Sequence, residues 1–377
     1  MKKIEFFKHN IGKEEKKEVS KCLDSMFLTT GAKVKEFEEN LAKYTKTKYA
    51  LGTTSCTHSL ELALKCLGIG PGDFVVTTPL TFAATTLAIL HVGATPIWVD
   101  VDEHTGNLSI ENILRKMDTL DNKTLQNVKA FLPVHLYGNT CNMYAFRQLA
   151  RKYSVAVIED AAHAVDGVGV GKYSDAACFS FYPTKSITCG EGGAVVTNDV
   201  NLYERMRVNR THGMSVDAAD RYTKRFRHWD LVSIGMKCNM SDIQASMLIP
   251  QLRKIEEYRE KRWKIYWKYH GAFFDNKNIQ LHSSKHWDHH GYHLFTVQVD
   301  PVRRDAILDE LQNRNIGVAV NYRSLNTLTA FQFMNKPRGS FPNAERIGDS
   351  TISLPLYPKL TNKEVQYVIK TVLEVVK

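Results

Sequence analysis

Residues 49–79 read YALGTTSCTHSLELALKCLGIGPGDFVVTTP, and the architecture turns on this stretch. YALGTT (49–54) is a short apolar run of strand length. THSLELALKCLGI (57–69) puts Leu60, Ala63, Leu64 and Leu67 on one face at helical spacing, and GDFVVTTP (72–79) is a second strand run. The alternation continues outward. TFAATTLAILHVGA (81–94) reads as a helix and TPIWVDV (95–101) as a strand; VKAFLPVHLYG (128–138), NMYAFRQLARKYS (142–154) and VAVIED (155–160) repeat the cycle, and the strand runs DAACFSF (175–181) and GAVVTND (193–199) follow. Helices alternating with strands that are apolar on both faces predict an α/β fold, a mostly parallel sheet covered by helices on both faces.

Beyond Asn239 the character changes. QLRKIEEYREKRWKIYWKYHGAFF (251–274) is a charged helical stretch that reads as a connector. HHGYHLFTVQVD (289–300) contains a strand, RDAILDELQNRNIGVAV (304–320) a helix and a strand, and NKEVQYVIKTVLEV (362–375) an amphipathic helix. The expected division is a large α/β domain over residues 1–250 and a small C-terminal α+β domain over 251–377. A chain of 377 residues accommodates two such units.

Composition narrows the function. Hydrophobic residues make up 43% and charged residues 24%, the balance of an ordinary globular protein. The formal charge of +10 favours anionic partners, phosphorylated small molecules among them. The basic residues are scattered, and neither zinc-finger spacing nor an RNP-like aromatic motif accompanies them, so no nucleic-acid partner is expected. Seven cysteines without a CxxC pair suggest free thiols in a reducing compartment. MKKIEFFKHNIGKEEKK lacks an apolar run behind its charges and no stretch is long and apolar enough to span a bilayer, so the expected location is cytoplasmic, without a membrane partner.

The densest chemical signal is VAVIEDAAHA (155–164) followed by FSFYPTKSITCGEGGAVVTND (179–199). Ligands of parallel sheets sit beyond the carboxyl ends of the strands, where Asp160, His163 and Lys185 fall. A lysine desolvated between apolar strands loses its proton more readily and can attack a carbonyl, the requirement for a Schiff-base lysine. An acid at the end of a buried strand, Asp160, can face a pyridine nitrogen. Ser55, Cys56 and Thr57 at a helix entrance suit a phosphate, Ser180 adds a hydroxyl, and Phe82 offers an apolar stacking face. Two other motifs read as bland. GVGVGK, with Gly167, Gly169, Gly171 and Lys172, lacks the spacing of a phosphate loop and reads as a turn. HWDHHGYH, with His286, His289, His290 and His293, has no supporting carboxylate or cysteine cluster, so no metal is expected.

FLTTGAKVKEFEE, SCTHSLELALKCLGIGPGD, PVHLYG, IEDAAHA, the lysine loop, CNMSDIQAS and ISLPLYP together resemble the DegT/DnrJ/EryC1/StrS family of pyridoxal-phosphate nucleotide-sugar aminotransferases, over nearly the whole chain. The resemblance implies the aspartate aminotransferase fold (fold type I) and pyridoxal 5'-phosphate as cofactor. It makes Lys185 the Schiff-base lysine and proton carrier, Asp160 the partner of the ring nitrogen, His163 a neighbour of the phenolic oxygen and Phe82 the stacking residue. Ser55, Cys56, Thr57 and Ser180 hold the phosphate. Asn239 reaches the phosphate of a neighbouring subunit, which implies a homodimer with shared sites. Thr30, Arg227, Lys237, Asn321 and Arg323 are the substrate-binding candidates. Relatives that are sugar dehydratases replace the lysine with histidine, so Lys185 favours transamination. The implied reaction moves an amino group from glutamate to a keto carbon of a nucleotide-linked sugar. C4 is the expected position and C3 the alternative; a non-catalytic sugar-binding protein is the rival of a different class. Gly235, Lys237 and Asn239 stand where many members carry G-x-N-x-R, as in the branch that makes 4-amino-4-deoxyarabinose. Asn321 and Asn326 replace that branch's histidines near the substrate.

Overall fold

The computed structural model describes residues 2–215, 228–284 and 287–377. Seven strands form the main sheet: β1 (Tyr49–Thr53), β2 (Phe74–Thr77), β3 (Thr95–Trp98), β4 (Val128–Phe131), β5 (Ala156–Asp160), β6 (Ala176–Ser180) and β7 (Gly193–Thr197). Their order is β1-β7-β6-β5-β4-β2-β3. The contacts among β3, β2, β4, β5 and β6 are all parallel, whereas β7 runs antiparallel to both of its neighbours. The expected α/β architecture is therefore present. β7 is buried along its whole length, as are most residues of β1, β5 and β6, which is why these strands read as continuous apolar runs rather than alternating ones.

Register carries the site. Asp160 lies opposite Cys178, and two residues further along β6 Ser180 lies opposite Gly193, itself opposite Thr53. The carboxyl ends of β5, β6 and β1 thus reach one edge of the sheet, where the helix Cys56–Cys66 begins. Ser55 caps that helix, its hydroxyl accepting from the His58 N–H at 3.1 Å. Leu60, Ala63 and Leu64 are buried against the strands.

A second sheet is antiparallel, in the order β10 (Thr351–Leu354), β9 (Phe295–Gln298) and β8 (Gln280–Leu281). Its core includes Tyr269, Phe273, Phe295, Val297, Leu354 and Val365, and Ile4 from the other end of the chain joins it by bridging to Ile316. Two expectations are corrected. Residues 251–274 are not one helix: Gln251–Arg253 close the helix Asp242–Arg253, and Lys254, with ψ at 7°, separates it from Ile255–Phe273. The run 316–320 is no strand, since Ile316 and Ala319 make only single bridges, to Ile4 and Ser353.

Candidate active site

At the carboxyl ends of β5 and β6 lies a cavity of about 500 Å³, lined by Ser55, Cys56, Thr57, Phe82, Asp160, His163, Ser180, Lys185 and Asn321 among others. Nine of the residues singled out from sequence therefore meet in one place. The structure adds Tyr322, Phe6 and Phe7, which no local pattern marked, and His293, which the sequence offered only in a histidine run read as bland.

Asp160 is buried, and its carboxylate is held from both sides. One oxygen accepts from the Thr85 hydroxyl at 2.7 Å and the other from the Ala162 N–H at 3.1 Å. Because Thr85 gives its proton to Asp160, the Thr81 hydroxyl, 2.8 Å from Thr85, donates to it in turn. This chain fixes the carboxylate without neutralising it. Cys56 stands 4.0 Å away with its thiol, which burial pushes well above the usual range.

Lys185 follows β6 in a turn closed by its own N–H bonding to the Tyr182 carbonyl. Desolvation pulls its amine down to about 8, against the opposing pull of Cys56 and Asp160. The Cys56 thiol is itself neutral at that pH, so Asp160 is the anion that matters.

His163 is buried and neutral. Desolvation, with the nearby Lys185 and His293, holds its imidazole well below the ordinary range. Its Nδ1 accepts from the Tyr137 N–H at 3.2 Å, which fixes the proton on Nε2, and Nε2 donates to the Tyr322 hydroxyl at 3.0 Å. Tyr322 then has its own proton free to point into the cavity. The Phe82 and Tyr322 rings lie 5.8 Å apart at 47°. Phe82 is 60% exposed, so its face is available to a ligand rather than used in the core.

The start of the Cys56–Cys66 helix rests directly on β7. A Cβ at Gly193 would stand 2.3 Å from the Ser55 carbonyl carbon and 2.5 Å from the Cys56 nitrogen, so only glycine permits the approach. That brings a helix N-terminus, which favours an anion, to within one strand of Ser180.

The remaining predicted residues go elsewhere. Lys237 donates to Asn239 at 2.6 Å, and Asn239 donates to Thr30 at 2.7 Å and Thr29 at 3.1 Å, so Lys237, Asn239 and Thr30, with Thr29, form a separate cluster against β1 and do not line this chain's cavity. Arg323 is exposed and reaches the Thr327 carbonyl at 3.4 Å, outside the cavity. Asn326, expected near the substrate, is instead buried between Ser324 and Glu345, a correction forced by its hydrogen bonds at 2.7 Å to each. Arg227 and His286 lie outside the described residues. Of the other histidines in HWDHHGYH, His290 accepts from the Tyr292 N–H in an aromatic core and His293 lines the cavity.

A sheet of this order, with a lysine of depressed pKa, a fixed carboxylate and a helix N-terminus around one cavity, defines a fold type I pyridoxal-phosphate enzyme. The chain belongs to the DegT/DnrJ/EryC1/StrS aminotransferase family, whose model matches residues 9–373. It is 37% identical over 378 residues to the spore coat polysaccharide biosynthesis protein SpsC of Bacillus subtilis, covering 97% of this chain and 95% of that protein. Among solved structures it resembles the PMP-form of Spr1654 from Streptococcus pneumoniae, with a TM-score of 0.90, 29% identity and 99% of each chain covered. It also resembles Helicobacter pylori PseC, an aminotransferase involved in the biosynthesis of pseudoaminic acid, with a TM-score of 0.88, 29% identity and 100% and 99% covered. The cofactor is pyridoxal 5'-phosphate. The residues present fit it: an amine, an anion for a ring nitrogen, an exposed aromatic face, and a cradle that a side chain at Gly193 would fill.

Proposed function

We propose that this protein is an aminotransferase that moves an amino group from glutamate to the C4 keto carbon of a nucleotide-linked sugar, working as a cytoplasmic homodimer. The carrying observation is the Lys185 amine at about 8 in one cavity with the fixed Asp160 carboxylate. Lys185, Asp160, His163, Phe82, Ser180 and the Ser55–Thr57 turn would hold the cofactor. Bound there, pyridoxal phosphate supplies an electron sink for the carbon that loses its proton. Lys185, about a tenth of it neutral at pH 7, takes that proton from the donor's alpha carbon and later returns one to the sugar carbon. Asp160 keeps a proton on the ring nitrogen, and Thr85 keeps Asp160 in place. His163 holds a proton on Nε2 toward Tyr322, so both present donors rather than charge. Asn321 lines the cavity with a buried carbonyl oxygen that has no partner, which suits a substrate hydroxyl or amine.

The cluster of Lys237, Asn239 and Thr30 lies outside its own cavity, and this supports a role across the subunit interface, on the partner's cofactor and substrate. The net charge of +10 suits a diphosphate. The division at residue 250 stays part of this reading, with the small C-terminal unit supplying Asn321 and Tyr322 to the substrate side. A panel of dTDP-, UDP- and GDP-linked 4-keto and 3-keto sugars with glutamate, the new amine located by NMR, tests the proposal. Amination at C3 alone overturns the position, and turnover only with sugars lacking a nucleotide overturns the substrate class.

A further inference from the structure

A second cavity, of about 940 Å³, shares no lining residue with the catalytic one. It opens between the end of the helix Ala32–Thr45, the start of the helix Met143–Tyr153, the end of the helix Asp242–Arg253 and the loop 165–173. Val165, Val170, Ile249 and Leu252 give it an apolar floor. Tyr44, Tyr144 and Tyr173 stand in the wall, the last two edge to face at 5.8 Å, and Tyr144 is 58% exposed.

The rim is cationic. Lys43, Lys46, Lys172 and Arg253 line it, all exposed, and none of the four forms an ion pair with a described carboxylate. Lys172 lies over the Tyr173 ring at 5.0 Å. Of the two carboxylates in the lining, Asp166 pairs with Arg262 through one oxygen while its other oxygen is buried without a hydrogen-bond partner, and Glu256 accepts from the Tyr44 hydroxyl at 2.5 Å and faces Arg259 at 3.6 Å. Each of these carboxylates faces an arginine, so the four exposed rim cations leave the mouth with an excess of positive charge. Thr140, buried in the wall, has a hydroxyl with no partner, and a buried polar atom of that kind calls for a ligand or water. The glycine run at 167–171, read from sequence as a turn, makes two left-handed bends here, at Gly169 (φ 83°) and Gly171 (φ 82°), and brings Lys172 to the rim.

Aromatic edges over an apolar floor, with unpaired cations spaced around the opening, match a ligand that joins a flat ring to several negative charges. We propose that this cavity is a second ligand site, for a nucleoside phosphate, with the base against Tyr144 and Tyr173 and the phosphates at Lys43, Lys172 and Arg253. Its four cations come from three separate segments of the chain, which is why no motif announced it. The loop that lines the cavity begins just after His163, so an occupant bears on the same segment that carries the catalytic imidazole.

The test uses the holoenzyme carrying Tyr144→Trp, which places a fluorophore at this cavity and leaves the catalytic cavity unchanged. Titration with ADP and UDP quenches that fluorescence, and inorganic diphosphate competes without quenching. Adding Lys43→Glu and Lys172→Glu weakens the nucleotides by roughly tenfold or more, as expected for two lost charge-assisted contacts. No quenching up to millimolar nucleotide overturns the proposal, as does quenching that the two charge reversals leave unchanged. Tighter binding of dodecyl phosphate than of either nucleotide assigns the cavity to an alkyl chain and overturns it too. Equilibrium dialysis with UDP provides a check that needs no tryptophan in the wall: the number bound per chain falls by one between the parent holoenzyme and the Lys43→Glu, Lys172→Glu variant, and an unchanged number overturns the second site.

Discussion

In the cofactor-free chain Lys185 titrates near pH 8, far from an ordinary lysine. With a pKa near 10.5 roughly 0.03% of the amine is neutral at pH 7, and with a pKa near 8 about 9% is, an enrichment of roughly 300-fold in the form that attacks a carbonyl. Competitive acetylation with trace acetic anhydride across pH 6 to 11, quantified on the peptide carrying Lys185, measures that midpoint directly. Asp160→Asn removes the anion that favours the ammonium, so the midpoint falls further. The same shift sets a sign for stability. The folded pKa lies below the unfolded one, so between about pH 8 and 10.5 the unfolded chain keeps a proton that the folded chain has released, and stability rises with pH through that window. Lys185→Met, which has nothing to desolvate, flattens the rise. A midpoint at or above 10 refutes the desolvation argument, and an upward shift in Asp160→Asn refutes the part given to the carboxylate.

Three further outcomes follow. Gly193→Ala drives a methyl into the Ser55 backbone; it destabilises the fold by about 1–3 kcal/mol and weakens cofactor retention, measured by dialysis against phosphate, and unchanged retention refutes the cradle. Asn326→Ala, which leaves the buried Glu345 short of a donor, lowers stability by about 1–3 kcal/mol with the sugar KM unchanged, whereas Asn321→Ala raises that KM in an equally stable protein; the reverse pattern refutes both placements. Mixing inactive Lys185→Ala and Asn239→Asp chains restores partial activity in heterodimers, and none in proven heterodimers argues that each site is built within one chain.

The alternation of strands and helices was legible because strands buried on both faces must be apolar throughout, and the lysine loop because a lone amine between two such strands is unusual. Long-range partners left no comparable trace. Thr85 looks like any residue of an apolar helix until β5 places Asp160 against it, and Tyr322 and His293 reach the cavity from segments more than 100 residues beyond Lys185. Asn326 misled because standing where a related branch carries a histidine near the substrate does not fix which way this turn points its side chain. The break at Lys254 was equally silent: the nearby proline, Pro250, sits inside the preceding helix rather than at its end. The glycines at 167–171 do form a turn, yet the cavity that turn lines depends on three distant helices.

Ile4 has no core to enter until Ile316 exists, and the aromatic pair Phe6 and Phe7 beside it lines the candidate active-site cavity. During synthesis at about 5–20 residues per second, the segment carrying Ile4 waits roughly 15–60 s for Ile316 to be made. The parallel sheet can assemble in that interval, but the wall that Phe6 and Phe7 form closes only when the last third of the chain is made. A nascent chain thus carries its sheet and its lysine loop before the cavity is walled, and the apolar stretch from Ile4 to Phe7 has no seat until then.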